Sequence, residues 1–108
     1  MPHNMLQAAY TPEGGKAMVK SPQNRMEAIR PVVEKLGGHI EGGWLAFGEY
    51  DVLVICQLPN NVSAAAFSMA GAAGGAVKAI KTTPLMSTEE AIEAMRMASG
   101  VSYQPPSR

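Results

Sequence analysis

The run Val52-Leu53-Val54-Ile55-Cys56 most restricts the folds open to this chain. Five consecutive apolar residues, three of them β-branched, favour an extended strand. A strand without polar alternation is expected to be buried on both faces, which places it in the middle of a sheet. The uncharged stretch continues to Val77. Gln57-Leu58-Pro59-Asn60-Asn61 interrupts it with amides and a proline. A membrane span needs about 20 predominantly apolar residues without such breaks. The stretch therefore reads as a central strand, a turn and a helix of small residues.

The remaining elements follow from period and punctuation. Asn4 to Thr11 reads as a first strand stopped by Pro12. Glu13-Gly14-Gly15 reads as a flexible entry, and Lys16 to Lys20 as one or two helical turns. Ser21-Pro22 has the form of an N-cap with proline at the first helical position. Met26, Ile29, Val33 and Leu36 then form one apolar stripe of a helix, with Pro31 expected to kink it and Gly37-Gly38 to end it. His39 to Phe47 reads as a second strand with a bulge at Gly42-Gly43, and Gly48-Glu49 as a hairpin turn. The third strand spans Tyr50 to Leu58. A small-residue helix spans Val62 to Ala73, and a fourth strand Ala76 to Thr83, closed by Pro84. Ser87-Thr88-Glu89-Glu90 is a capping box that opens a last helix ending at Gly100.

The order β-α-β-β-α-β with an extra C-terminal helix is the ferredoxin-like pattern of the α+β class. It predicts a four-stranded antiparallel sheet with two helices on one face. The other face is left bare, and an apolar bare face needs a partner. Composition agrees. The 108 residues hold nine Lys+Arg and nine Asp+Glu, and only 17 % are charged, against roughly 25 % in average soluble proteins. A small domain has much surface to cover, so part of it is expected to lie against another copy. A homodimer or higher oligomer is the expected partner. The neutral balance leaves no cationic surplus for nucleic acid, and no membrane partner is expected. Residues 1–100 are expected to form one domain, and residues 101–108 a flexible or partner-covering tail. The N-terminus carries no secretory pattern, so a cytoplasmic protein is expected.

Gly48-Glu49-Tyr50-Asp51 followed by an apolar strand resembles the signature of the GYD domain family. The resemblance extends to Tyr10-Thr11-Pro12-Glu13-Gly14 and to Lys20, Ser21-Pro22 and Arg25. It continues through Leu36-Gly37-Gly38 and Lys81-Thr82-Thr83-Pro84. It implies a bacterial or archaeal protein of the dimeric α+β barrel type. It implies no particular activity. Relatives by fold include cofactor-independent monooxygenases, lactone isomerases and haem-binding enzymes, an analogy that does not assign function.

Few residues offer themselves for chemistry. Tyr50 and Asp51 stand beside the hairpin turn, where a phenol and a carboxylate would orient or deprotonate a small ligand. Turn carboxylates more often accept backbone hydrogen bonds. His39 is a candidate general base, with a haem-ligand role as the alternative; strand-end histidines are more often simply exposed. No metal site is expected, since His3 and His39 show no ligand spacing, and no cofactor is expected. Tyr10 and Trp44 are large rings that fill core or line a pocket. By strand parity Trp44 shares a face with Ile40, Gly42 and Ala46, leaving room beside its ring. Lys20, Arg25, Lys78 and Lys81 are the candidates for an anionic ligand. Lys81 and Thr83 share a face with Val77 and Ala79, and either would contact a ligand lying there. Cys56 reads as a small buried hydrophobe. The expected function is a homo-oligomer that binds a small apolar or aromatic molecule in a cavity beneath its sheet. The alternatives are a cofactor-independent monooxygenase or isomerase working through Tyr50, Asp51 or His39, and a structural or regulatory assembly module.

Overall fold

The computed structural model describes residues 1–106. Eight elements occur in the order β1 (His3–Tyr10), α1 (Pro12–Lys20), α2 (Arg25–Lys35), β2 (His39–Leu45), β3 (Val52–Gln57), α3 (Asn61–Ala73), β4 (Val77–Leu85) and α4 (Thr88–Ser99). The strands form one antiparallel sheet in the order β2-β3-β1-β4. This is the ferredoxin-like arrangement with two additional helices, α1 and α4. The apolar run of β3 occupies an inner position. No helix of the described residues is long and apolar enough to cross a membrane.

Local chemistry explains most boundaries. Thr11 caps α1 by accepting the Gly14 N–H at 3.0 Å, with Pro12 at the first turn. The Gly14-Gly15 pair, expected to be a flexible entry, is therefore helical. A Cβ on Gly14 would stand 2.5 Å from the Ala76 carbonyl oxygen, so the glycine is needed for close approach. The cap of α2 is Asn24, whose side chain accepts the Met26 N–H at 3.0 Å. Ser21 instead terminates α1. The cap of α2 thus lies three residues beyond the one expected at Ser21, which is already committed to ending α1. Helix α2 continues through Pro31 and ends in a Schellman motif. There the Gly38 N–H donates to the Val33 carbonyl, the Gly37 N–H donates to Glu34, and Gly37 takes a φ of +88°. Asn60 with Ser63, and Ser87 with Glu90, form capping boxes on α3 and α4. Strand β4 runs on through Pro84 to Leu85, because an edge strand tolerates a residue without an N–H.

Strand alternation sorts the side chains onto two faces. Leu6 of β1 and Val54, Cys56 and the adjoining Leu58 of β3 face α2 and α3 and are buried. The α2 stripe Met26, Ile29, Val33 and Leu36 meets them. Gly71 of α3 lies so close to Ile80 of β4 that an added Cβ would be 2.7 Å from its Cδ1. Small residues in α3 thus allow close contact with the sheet. Cys56 is fully buried, and burial pushes its thiol up to about 11.

Two bulges change the expected faces. The register of β2 shifts at Glu41, between Ile40 and Gly42. Ile40 therefore packs against the core, whereas Trp44 lies on the opposite face with its indole over Gly42. A second shift makes Tyr10 pair with Val77 and passes over Lys78. Val77 consequently joins Ile80 on the helix face rather than Lys81 and Thr83.

The face away from α2 and α3 carries Met5, Leu53 and Ile55, all half-buried, and Trp44, 59 % exposed. β3 is thus buried on one face only within a single copy. Helix α4 buries none of its residues and exposes Ile92, Met95 and Met97. The molecule is correspondingly elongated. Its radius of gyration is 17.3 Å, against roughly 13 Å for a compact domain of this length. Residues 101–106 have no regular structure and are exposed; Ser107 and Arg108, the end of the expected tail, lie outside the described residues.

Candidate functional site

A cavity of about 250 Å³ opens on the helix face of the sheet, between α2 and α3. Leu6, Ala8 and Tyr10 of β1 form its floor with Val52 and Val54 of β3. Ala28, Ile29 and Val32 of α2 form one wall, and Phe67, Ala70 and Gly71 of α3 the other. Val77 and Ile80 of β4 complete it. The small residues of α3 and Ala28 leave this space open, since larger side chains there would fill it.

Gln7 borders the cavity on β1, but it pairs in register with Leu53 and Lys81, whose side chains lie on the far face; the other two polar residues, Tyr10 and Arg25, come to one end. Tyr10 is the last residue of β1 and Arg25 the first of α2; Val77, also at this end, is the first residue of β4. The antiparallel order brings these termini together. Arg25 is half-buried, and its Nε is shut off from solvent without a hydrogen-bond acceptor. Leaving such a donor unpaired costs about 1–3 kcal/mol. Arg25 also borders a second hollow of about 170 Å³, formed with Met18, Met26 and Gly43. Burial raises the Tyr10 phenol above its ordinary value; the Arg25 charge opposes that rise, and the Asp51 charge adds to it.

Asp51 stands in the loop before β3, and its Oδ2 accepts the Tyr10 backbone N–H at 2.8 Å. Its own N–H donates to the Ala8 carbonyl, and its carbonyl accepts the Ala46 N–H. This carboxylate therefore ties the loop to the end of β1. Tyr50 is half-buried in the same loop and does not line the cavity.

His39, Trp44, Lys81 and Thr83 lie on the opposite face of the sheet, and Lys20 ends α1. His39 is exposed and pairs in register with Gln57, as does His3. Glu41, extruded by the bulge, accepts hydrogen bonds from Gln57 and from His3 Nε2, the latter at 2.8 Å. The Gln57 bond and the nearby His3 hold the Glu41 carboxyl below its usual range. Trp44, Lys81 and Thr83 also point to this face, away from the cavity. The structure therefore joins Tyr10 and Asp51 and separates both from Trp44, Lys81 and Thr83. Among the described residues, no three metal-ligating side chains converge. Of the four cations that the sequence offers for an anionic ligand, Lys20, Arg25, Lys78 and Lys81, Arg25 alone lines the cavity. Its position at the N-terminus of α2, one turn before Ile29 of the apolar stripe, was the signal that it borders the core.

No curated protein matches the chain. The family model described as the GYD domain matches residues 5–95, from β1 to the middle of α4. That match spans well over half of the chain, and the chain belongs to the GYD domain family.

Proposed function

We propose that this chain is a cytoplasmic, homo-oligomeric α+β protein that binds a small apolar or aromatic molecule in the cavity between its sheet and helices α2 and α3. The observation that carries this reading is the cavity itself, about 250 Å³ with an almost wholly apolar lining. An apolar space of about 150 Å³ is enough for a benzene ring, so this one takes a ring with a short substituent. The cavity lies on the helix face, leaving the opposite face free to serve a second purpose.

That second purpose is assembly. Met5, Leu53, Ile55 and Trp44 give the far face an apolar centre, and His3, Glu41 and Lys81 give it a polar margin. This is the usual anatomy of an interface. Two sheets closing over these faces would make a dimeric α+β barrel. Helix α4 supplies further unpartnered apolar surface at Ile92, Met95 and Met97. A 12-residue helix is marginal in water unless it packs against something.

Native mass spectrometry of the protein purified from its own host tests both parts together. The reading expects a dimer or larger assembly carrying a retained small molecule. A bare monomer at micromolar concentration would overturn it.

A further inference from the structure

We infer that the cavity ligand is a small planar monoanion, an aromatic or short aliphatic carboxylate, whose acid group is held by Arg25 and Tyr10. The inference rests on the reading of the cavity as a binding site and adds the chemical class of what enters it. It follows from the arrangement of polar and apolar groups along the cavity. One end is built by the apolar residues Leu6, Ile29, Val32, Val54 and Phe67, and Gln7 beside Leu6 is turned by strand alternation to the far face with Leu53 and Lys81. The other end offers a guanidinium and a phenol. A bound molecule is therefore oriented, with its apolar body inward and its head toward Tyr10 and Arg25.

The head is an anion. Arg25 has no ion-pair partner among the described residues, and its Nε is buried with no acceptor. The Asp51 carboxylate acts on Tyr10, but its Oδ2 takes the Tyr10 backbone N–H. The cavity lining itself contains no acidic residue. Arg25 lines the cavity with no internal carboxylate paired to it, so a ligand carboxylate entering there is the counter-charge open to its guanidinium. Burial raises the Tyr10 phenol, which keeps it protonated and able to donate to the same head.

The head is planar and singly charged. A guanidinium fork matches the two oxygens of a carboxylate. A phosphate would call for further cations, and no lysine or second arginine lines the cavity. The volume of about 250 Å³ sets the size at a ring with a short chain, by comparison with the roughly 150 Å³ that holds benzene.

The test compares 3-phenylpropanoate with 3-phenylpropanol, which has nearly the same shape and no charge, by isothermal titration at pH 7. The wild-type protein is expected to bind the acid roughly tenfold more tightly than the alcohol, the effect of a charge-assisted pair. Arg25→Met is expected to lower the acid's affinity roughly tenfold and leave the alcohol's within about twofold. Tyr10→Phe is expected to weaken the acid by a smaller factor. Ala28→Phe, which fills the cavity from its α2 wall, is expected to abolish both. Should Arg25→Met fail to fold, added salt makes the same distinction in the wild-type protein, weakening only the acid. Equal binding of acid and alcohol, or an equal loss of both in Arg25→Met, would overturn the assignment of the head while leaving the cavity as the binding site. Binding of neither compound would overturn the cavity reading and this inference with it.

Discussion

The Asp51 carboxylate accepts the backbone N–H of Tyr10 at 2.8 Å, joining residues 41 positions apart in the chain. The bond closes the end of β1 against the loop that precedes β3. It also fixes the backbone from which the Tyr10 ring enters the cavity. Asp51→Ala is therefore expected to destabilise the fold by about 1–2 kcal/mol, the range of a partly exposed hydrogen bond to a charged acceptor. Urea unfolding of the two proteins measures it. An unchanged midpoint would show that the loop is held by its backbone bonds alone.

The bare sheet face makes a different prediction. Ile55→Glu places a charge at the centre of that face, while the core on the other side is untouched. Light scattering is expected to show dissociation to a folded monomer. Trp44, 59 % exposed in an isolated copy, is expected to be shielded from acrylamide in the wild-type assembly and quenched freely in the variant. Unchanged mass would remove this face as the contact.

Two glycines should respond in opposite directions to alanine. Gly15 sits in α1 with nothing within 4 Å of an added Cβ. Gly15→Ala is expected to stabilise by about 0.5–1 kcal/mol through a less flexible unfolded chain and better helix propensity. A Cβ on Gly38 would collide with the Gln57 carbonyl and the Leu58 side chain. Gly38→Ala must displace backbone beside the core and is expected to cost at least about 2 kcal/mol. Thermal melts of both variants decide the signs.

Cys56 predicts a pH dependence. Burial raises the folded thiol from 9.0 to about 11, with the Glu41 charge adding to the rise. The unfolded chain therefore loses its thiol proton first as pH increases. The stabilisation is complete below about 9 and falls as pH rises toward about 11. Comparing alkaline unfolding of the wild-type protein with Cys56→Ala isolates this part. Iodoacetamide is expected to label Cys56 only after urea unfolds the protein.

The legible parts of this fold were those set by neighbours in sequence. Ser87 and Glu90 cap α4 within four residues, and the stripe from Met26 to Leu36 faces the core as its spacing requires. What escaped was set at a distance. Gly14 looks like a breaker until the Ala76 carbonyl, far along the chain, is seen to require it. Pro84 looks like a stop until β4 is known to be an edge strand. The bulge at Glu41 came one residue before the glycines that suggested it, and that single step moved Trp44 to the face opposite Ile40. The sequence suggests room beside Trp44, Gly42 and Ala46, whereas the cavity lies across the sheet from Trp44. Its location on the helix face depended on the spacing of α2 and α3, which no local pattern encodes.

The central claim is that the small molecule enters between the helices and the sheet, and that the opposite face meets another copy. Methyl NMR of the assembled protein, titrated with 3-phenylpropanol, tests this most directly. The account predicts saturable shifts at Ile29, Val54 and Ile80, which line the cavity, with Leu53 and Ile55 unmoved. Shifts confined to Leu53 and Ile55 would place the molecule on the other face and contradict the account.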